Sequence, residues 1–153
     1  MFYTIMLYSY GLKWHWEVLE NLSYSPMCRF VSYIGKPIIA SSLIIEPTNS
    51  LINQSHHSRE RKEPLNGDGF GFAWYNKDIS KTPALYRSMR PAWNDTNLSS
   101  ISKITKTECM FAHVRAATHG EVGEQNCHPF RYDQILMMHN LSLIHISEPT
   151  RPY

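Results

Sequence analysis

Apolar and polar residues alternate most clearly over residues 28–34. A period of two is typical of a β-strand, whose successive side chains point to opposite faces. Phe30 and Val31 are therefore expected on opposite faces of this strand. The Gly-Lys-Pro sequence at 35–37 is expected to end it.

A second strand is predicted after the turn signals of residues 66–69. Its alternation places three aromatic side chains on one face, and these are expected in the core: Phe70, Phe72 and Trp74. Small residues take the other face: Gly69, Gly71 and Ala73. The missing side chains are expected to let another layer approach closely. The Gly-x-Gly precedes a strand rather than opening a helix, so it does not indicate a dinucleotide site.

Two short helices and three further strands complete the predicted elements. Asp95 is placed to cap a helix that carries Leu98, Ile101 and Ile104. Residues 48–49 are placed to cap a shorter helix that runs through residues 51–52. Strands are predicted over 84–91, in the segment that begins at 109, and over 134–140. Short strands with two helices indicate an α+β layered domain.

Composition narrows the function classes. The chain has 153 residues, 42% of them hydrophobic, and a net charge of +2. Its densest basic cluster, at 56–62, includes an acidic residue, so no nucleic-acid surface is predicted. No apolar run reaches the roughly 18 residues of a membrane span. Three widely spaced cysteines do not suit a disulfide framework, which favours a reducing, cytoplasmic setting.

The sequence divides into three zones. Residues 1–26 are aromatic-rich. They are interpreted as upstream sequence translated in frame, which would make Met27 the true start. The alternative is that residues 1–26 are a cleaved propeptide. Residues 27–140 carry the predicted domain. Residues 141–153 are interpreted as a library scar, because Leu141 to Arg151 back-translates to one reading frame of a transposase adapter used for sequencing.

Cys28 is the first candidate for chemistry, because it directly follows Met27. A buried structural cysteine is the ordinary interpretation of a Cys at an apolar strand. If Met27 is removed, however, Cys28 gains a free α-amine with a pKa of about 7.7–8.0. That amine is able to take the thiol proton and return it, which activates the sulfur as a nucleophile.

Further polar candidates follow in HVRAATHG and MMHN. Arg115 offers a planar fork for a carboxylate. Thr118 and His119 lie on a predicted loop, and the Asn140 amide is able to donate to an oxyanion. With Cys28 these groups form a set suited to cleaving the amide of an amino-acid-like substrate.

The remaining histidines and cysteines favour structural roles. The spacing of four histidines matches no standard zinc site, so no metal is predicted: His113, His119, His128 and His139. His128 is expected to be a hydrogen-bonded loop residue. Asp68 is expected to be a turn carboxylate, and Cys109 and Cys127 to be ordinary small side chains.

The ordered motifs MCRF, GDGFGFAWY, FAHVRAATHG, NCHPF and MMHN resemble the class II glutamine amidotransferases, which are N-terminal-nucleophile enzymes. The likeness covers about residues 27–140 and is greatest to the small stand-alone bacterial type that begins Met-Cys-Arg. It implies an αββα sandwich, of which this chain looks like roughly the first half. It implies neither cofactor nor metal and a small-molecule substrate, glutamine or a γ-glutamyl compound. The identity of a synthetase or acceptor partner stays open.

The resemblance also implies roles for individual residues. Cys28 matches the nucleophile that forms a γ-glutamyl thioester, and Arg115 matches the residue that grips the α-carboxylate. Thr118 and His119 match the pocket segment, and Asn140 matches the oxyanion-hole residue. The family has Gly after this Asn, where this chain has Leu141.

Two alternatives stand beside an active enzyme. In the first, this polypeptide is an inactive fragment of a longer enzyme. In the second, the parent protein is a non-catalytic regulatory domain that binds glutamine through Arg115. The first alternative is compatible with an active parent protein.

Overall fold

Strands form two antiparallel sheets in the parts of the chain that a computed structural model describes, which are residues 5–8, 28–56, 67–116 and 123–139. The strands are β1 Ile5–Tyr8, β2 Arg29–Ile39, β3 Phe70–Asn76, β4 Ser80–Ser88, β5 Lys106–Val114, β6 Phe130–Tyr132 and β7 Ile135–His139. The helices are α1 Ser41–Ile44, α2 Leu51–His56 and α3 Thr96–Ile104. No helix in these ranges is long and apolar enough to cross a membrane.

The larger sheet has the strand order β2-β5-β3-β4, and the smaller sheet has the order β1-β7-β6. All of these pairings are antiparallel. The register pairs Arg29 of β2 with Val114 of β5, and Phe70 of β3 with the same Val114. The start of β2, the end of β5 and the start of β3 therefore lie side by side, at the same end of the larger sheet.

The two faces of the larger sheet pack against different layers. The helix-side core combines residues of α1, α2 and α3 with Phe70, Phe72 and Met110. On the opposite face, Ala73 and Phe111 pack with Leu136 and Met138 of β7. The order is helices, sheet, sheet, so the predicted α+β class is confirmed and these are three layers of the expected αββα arrangement.

The predicted end of the first strand at 35–37 is wrong. β2 continues to Ile39, with a register shift between Ile34 and Ile38. Pro37 is tolerated because β2 is an edge strand, where a missing N–H donor need not interrupt the ladder.

The predicted cap of α3 is confirmed. Asp95 Oδ1 accepts a hydrogen bond from the Leu98 backbone N–H at 2.7 Å, and the Tyr86 hydroxyl donates to the same carboxylate. Leu98 is buried, but Ile104 is 81% exposed, so the apolar side of α3 is shorter than its spacing suggested. At α2, the capping side chain is that of Ser50, whose hydroxyl oxygen accepts the Asn53 backbone N–H at 3.2 Å. Residues 48 and 49 accept only side-chain N–H groups, through their backbone carbonyl oxygens.

Gly71 in β3 and Gly69, which directly precedes β3, let a neighbouring segment approach the backbone closely, as predicted. A Cβ added at Gly71 would lie 2.1 Å from the His128 carbonyl oxygen. A Cβ added at Gly69, whose φ is +104°, would lie 2.6 Å from Cys127 Sγ. Residues 127–129 therefore pack directly against β3.

Gly71→Ala is expected to destabilise the protein by about 1–3 kcal/mol, because the new methyl group meets backbone atoms that have no free rotation. The free energy of unfolding from urea denaturation measures the effect. Gly35→Ala is the matched control, since its Cβ meets only the Tyr33 side chain. Equal losses from the two substitutions would contradict this account of Gly71.

Candidate active site

Cys28 directly precedes β2 and lies against the end of β5. The Ala116 backbone N–H donates to Cys28 Sγ at 3.5 Å. The thiol in turn lies 3.7 Å from the Ala116 carbonyl oxygen. Cys28 is half-buried. The sulfur is therefore held beside the residue that follows Arg115 without being sealed from solvent.

Arg115 is fixed through its backbone. Its N–H donates to the Gly69 carbonyl oxygen at 2.9 Å, and the Asp68 N–H donates to its carbonyl oxygen at 3.3 Å. These bonds continue the β3–β5 ladder one step beyond the end of both strands. The structure thus brings Cys28 and Arg115 together, and it places Asp68 beside them.

The other predicted site residues, Thr118, His119 and Asn140, lie outside the described residues. Their roles stay predictions. His139, which directly precedes Asn140, is the last residue of β7. The chain therefore reaches Asn140 from the end of a strand in the smaller sheet.

A cluster of imidazoles lies between the sheets: His113, His128 and His139. His128 Nδ1 and His113 Nε2 are 3.1 Å apart and share a hydrogen bond. The predicted hydrogen-bonded role of His128 is confirmed, whereas its partner was not foreseen. The sequence signal that could have indicated this partner is the alternation within β5, which places His113 on the same face as Phe111.

Burial keeps the two bonded rings neutral. Desolvation, followed by the charges of His139 and Arg115, lowers the pKa of His128 to about 3. Desolvation also lowers the pKa of His113 well below its ordinary value of 6.5. Both histidines bind protons more readily in the unfolded chain than in the folded protein. The neutral pair therefore contributes to folding stability fully above pH 6.5, and this contribution is lost as the pH falls toward 3.

No group of three or more His, Cys, Asp or Glu side chains within the described ranges is arranged to hold a metal ion. The imidazoles of His113 and His128 are instead hydrogen-bonded to one another.

The three cysteines differ in their surroundings. Cys109 and Cys127 are buried, and Cys28 is half-buried. Desolvation raises the pKa of Cys109 to about 12 and also raises the pKa of Cys127. Cys28 is therefore the thiol best placed to react.

Comparison with known proteins identifies the family of the chain. The sequence profile of the glutamine amidotransferases class-II matches residues 41–152. The chain belongs to the class II glutamine amidotransferases. This class II chain is 48% identical over 121 residues to the probable glutamine amidotransferase DUG3 of Saccharomyces cerevisiae. The match covers 74% of this chain and 34% of that protein.

A second relative is the gamma-glutamyl-hercynylcysteine sulfoxide hydrolase of Mycobacterium tuberculosis. It is 34% identical over 116 residues, covering 74% of this chain and 48% of the hydrolase. A solved glutamine aminotransferase class-II domain protein from Silicibacter pomeroyi is 29% identical, with a TM-score of 0.42 over 66% of this chain and 31% of its own. The chain thus spans between a third and a half of the curated relatives it matches.

We expect Cys28 to react with iodoacetamide at pH 8 about tenfold faster than Cys109 or Cys127, because the two buried thiols have raised pKa values. Peptide mass spectrometry of the folded protein, sampled over time, measures the three rates. Cys28→Ala is the control that removes the fast site. Alkylation of Cys109 at the rate of Cys28 would show that this description of the thiols is wrong.

Proposed function

We propose that the protein containing this chain is an amidohydrolase that cleaves the side-chain amide of glutamine or of a γ-glutamyl compound, with Cys28 as its nucleophile. The observation that supports this most directly is the contact of Cys28 Sγ with the backbone of Ala116. It puts a half-buried thiol against Ala116, the residue that follows the arginine predicted to bind the substrate carboxylate. Family membership supports the same reaction class.

The sulfur is activated by the α-amine of its own residue. In the chain as written, that nitrogen belongs to the peptide bond with Met27 and has no basic lone pair. The mechanism therefore requires a mature protein that begins at Cys28. The free amine takes the thiol proton, and the thiolate attacks the amide carbon of the substrate.

The rest of the cycle follows from the tetrahedral intermediate. Asn140 donates to its oxyanion, and collapse breaks the carbon–nitrogen bond while the ammonium group gives its proton to the leaving ammonia or amine. The product is a γ-glutamyl thioester on Cys28. Water then attacks the thioester, releasing a γ-carboxylate and restoring the thiol. No metal or cofactor enters any step.

Arg115 is assigned to the α-carboxylate, and Thr118 and His119 to the wall of the pocket. Two backbone hydrogen bonds hold the Arg115 main chain, which limits the freedom lost when its guanidinium binds an anion. A planar fork is suited to two parallel hydrogen bonds with a carboxylate.

The relatives support two classes of substrate. Glutamine fits the printed name of the yeast protein, and a γ-glutamyl compound fits that of the mycobacterial hydrolase. Both share the γ-glutamyl group that the proposed site would hold. We assign the protein to the cytoplasm, where its three free thiols would stay reduced. Any partner that accepts the ammonia is left unassigned.

We expect Cys28→Ala to lower ammonia release from glutamine roughly 10³-fold or more in the full-length protein beginning at Cys28, because the nucleophile is lost. A matched protein that retains Met27 is expected to be equally inactive, since its nitrogen is an amide. Ammonia release and mass spectrometry of the trapped thioester measure both effects. An unchanged rate in either protein would overturn the mechanism, and glutamine binding without turnover would favour the regulatory alternative.

We expect Arg115→Lys to raise KM for glutamine about 10–100-fold with a smaller effect on kcat, because a point charge replaces a two-bond clamp. Steady-state kinetics measures both constants. Arg131→Lys is the control, since the Arg131 guanidinium donates to the Pro83 carbonyl oxygen instead. An unchanged KM in Arg115→Lys would remove this residue from the substrate site.

A further inference from the structure

The His113–His128–His139 cluster joins three chain segments that lead to the site. His113 is in β5, two residues before Arg115. His139 ends β7, one residue before Asn140. His128 lies between them, in the segment that packs against Gly71.

Each link in this cluster is a direct contact. The His113 and His128 rings have centroids 4.5 Å apart and share the 3.1 Å hydrogen bond. The His128 and His139 rings have centroids 4.3 Å apart. Phe130 packs edge-on against His128, with centroids 4.4 Å apart. His128 therefore touches both strands whose ends carry predicted substrate-binding or oxyanion-binding groups.

The orientation of the hydrogen bond follows from one atom. Among the described residues, His113 Nδ1 is the buried side-chain nitrogen or oxygen that has no hydrogen-bond partner. A lone buried N–H is rarer in proteins than a lone buried acceptor. The proton of His113 is therefore assigned to Nε2, which donates to His128 Nδ1. Neutral His128 then carries its own proton on Nε2.

We propose that His128 is a positioning residue: by accepting the His113 N–H and packing on His139, it fixes the spacing between the end of β5 and the end of β7. These are the strands that lead along the chain to Arg115 and Asn140. This rests on the proposed function for the roles of Arg115 and Asn140. The hydrogen bond and ring contacts on which it stands are independent of that function.

The surroundings of His128 favour this role over proton transfer. The titratable or charged groups that act on it are His139 and Arg115, and its hydrogen-bond partner is His113. With a pKa of about 3, the ring stays neutral throughout the working range of most enzymes. A group that does not change charge there supplies geometry rather than a proton.

Two substitutions of His128 in the full-length protein beginning at Cys28 test the proposal. His128→Leu removes the acceptor, and kcat/KM is expected to fall on the order of 10²-fold, as for a small misplacement of reacting groups. His128→Asn keeps an acceptor near the position of Nδ1, and kcat/KM is expected to stay within about tenfold of wild type. The pH dependence of kcat/KM from pH 5 to 9 is expected to be the same in wild type and His128→Asn. Circular dichroism and thermal melts show whether each variant is folded.

Three outcomes would overturn the proposal. They are wild-type activity in His128→Leu, equal loss in both variants when both are folded, and loss of a limb of the pH profile in His128→Asn. The last outcome would make His128 a proton carrier.

A ring-nitrogen NMR measurement separates this proposal from the function. Long-range ¹⁵N–¹H spectra of the wild-type protein are expected to show neutral His128 protonated on Nε2, and His113 protonated on Nε2, at pH 7. His128 protonated on Nδ1 would overturn the assignment even in an active enzyme. Activity that is absent in wild type, or unaffected by Cys28→Ala, would overturn the proposed function instead, while the spectra still decide the pairing.

Discussion

The close approach of residues 127–129 to β3 is the constraint on which the site region depends. Gly71 leaves room for the His128 carbonyl oxygen, and Gly69 leaves room for Cys127 Sγ. Side chains at these two positions would push the segment away from the larger sheet. The segment would then no longer bring His128 to His113, and the region between the sheets would lose its packing.

The same packing explains the electrostatics of the region. Polar rings buried between two sheets stay neutral unless a counter-charge accompanies them, because desolvation disfavours the charged form. The positive Arg115 nearby acts in the same direction on His113 and His128. Two neutral imidazoles can satisfy one another, one as donor and one as acceptor, which two imidazolium ions cannot do. In the proposed reaction, neutral rings also leave Arg115 without a competing positive charge for the substrate carboxylate.

Local pattern predicted the parts of the fold that depend on a few neighbouring residues. The alternation of aromatic and small residues in β3 and the Asp95 cap of α3 are of this kind, and both are confirmed. The continuation of β2 through Pro37 was missed because it depends on which strand lies at an edge, which no local pattern contains. The exposure of Ile104 and the His113–His128 bond were missed for the same reason, since both depend on contacts distant in sequence. For the site, the chemistry of Cys28 and Arg115 suggested their roles, whereas their adjacency follows only from the β2–β5 register.

That register gives a topological reason for the proposed nucleophile to lie at the start of β2. In an antiparallel pair, the first residue of one strand lies beside the last residue of the other, so Cys28 meets the 115–116 segment without any long loop to position it. Among the described strands, β2 lies at the edge of the larger sheet and pairs with β5. The proposed mechanism needs more than an amine and a thiol on one residue: it also needs a group that holds the substrate nearby. The register supplies a candidate, because it sets Cys28 against the segment of Arg115, whose main chain is hydrogen-bonded to Gly69 and Asp68.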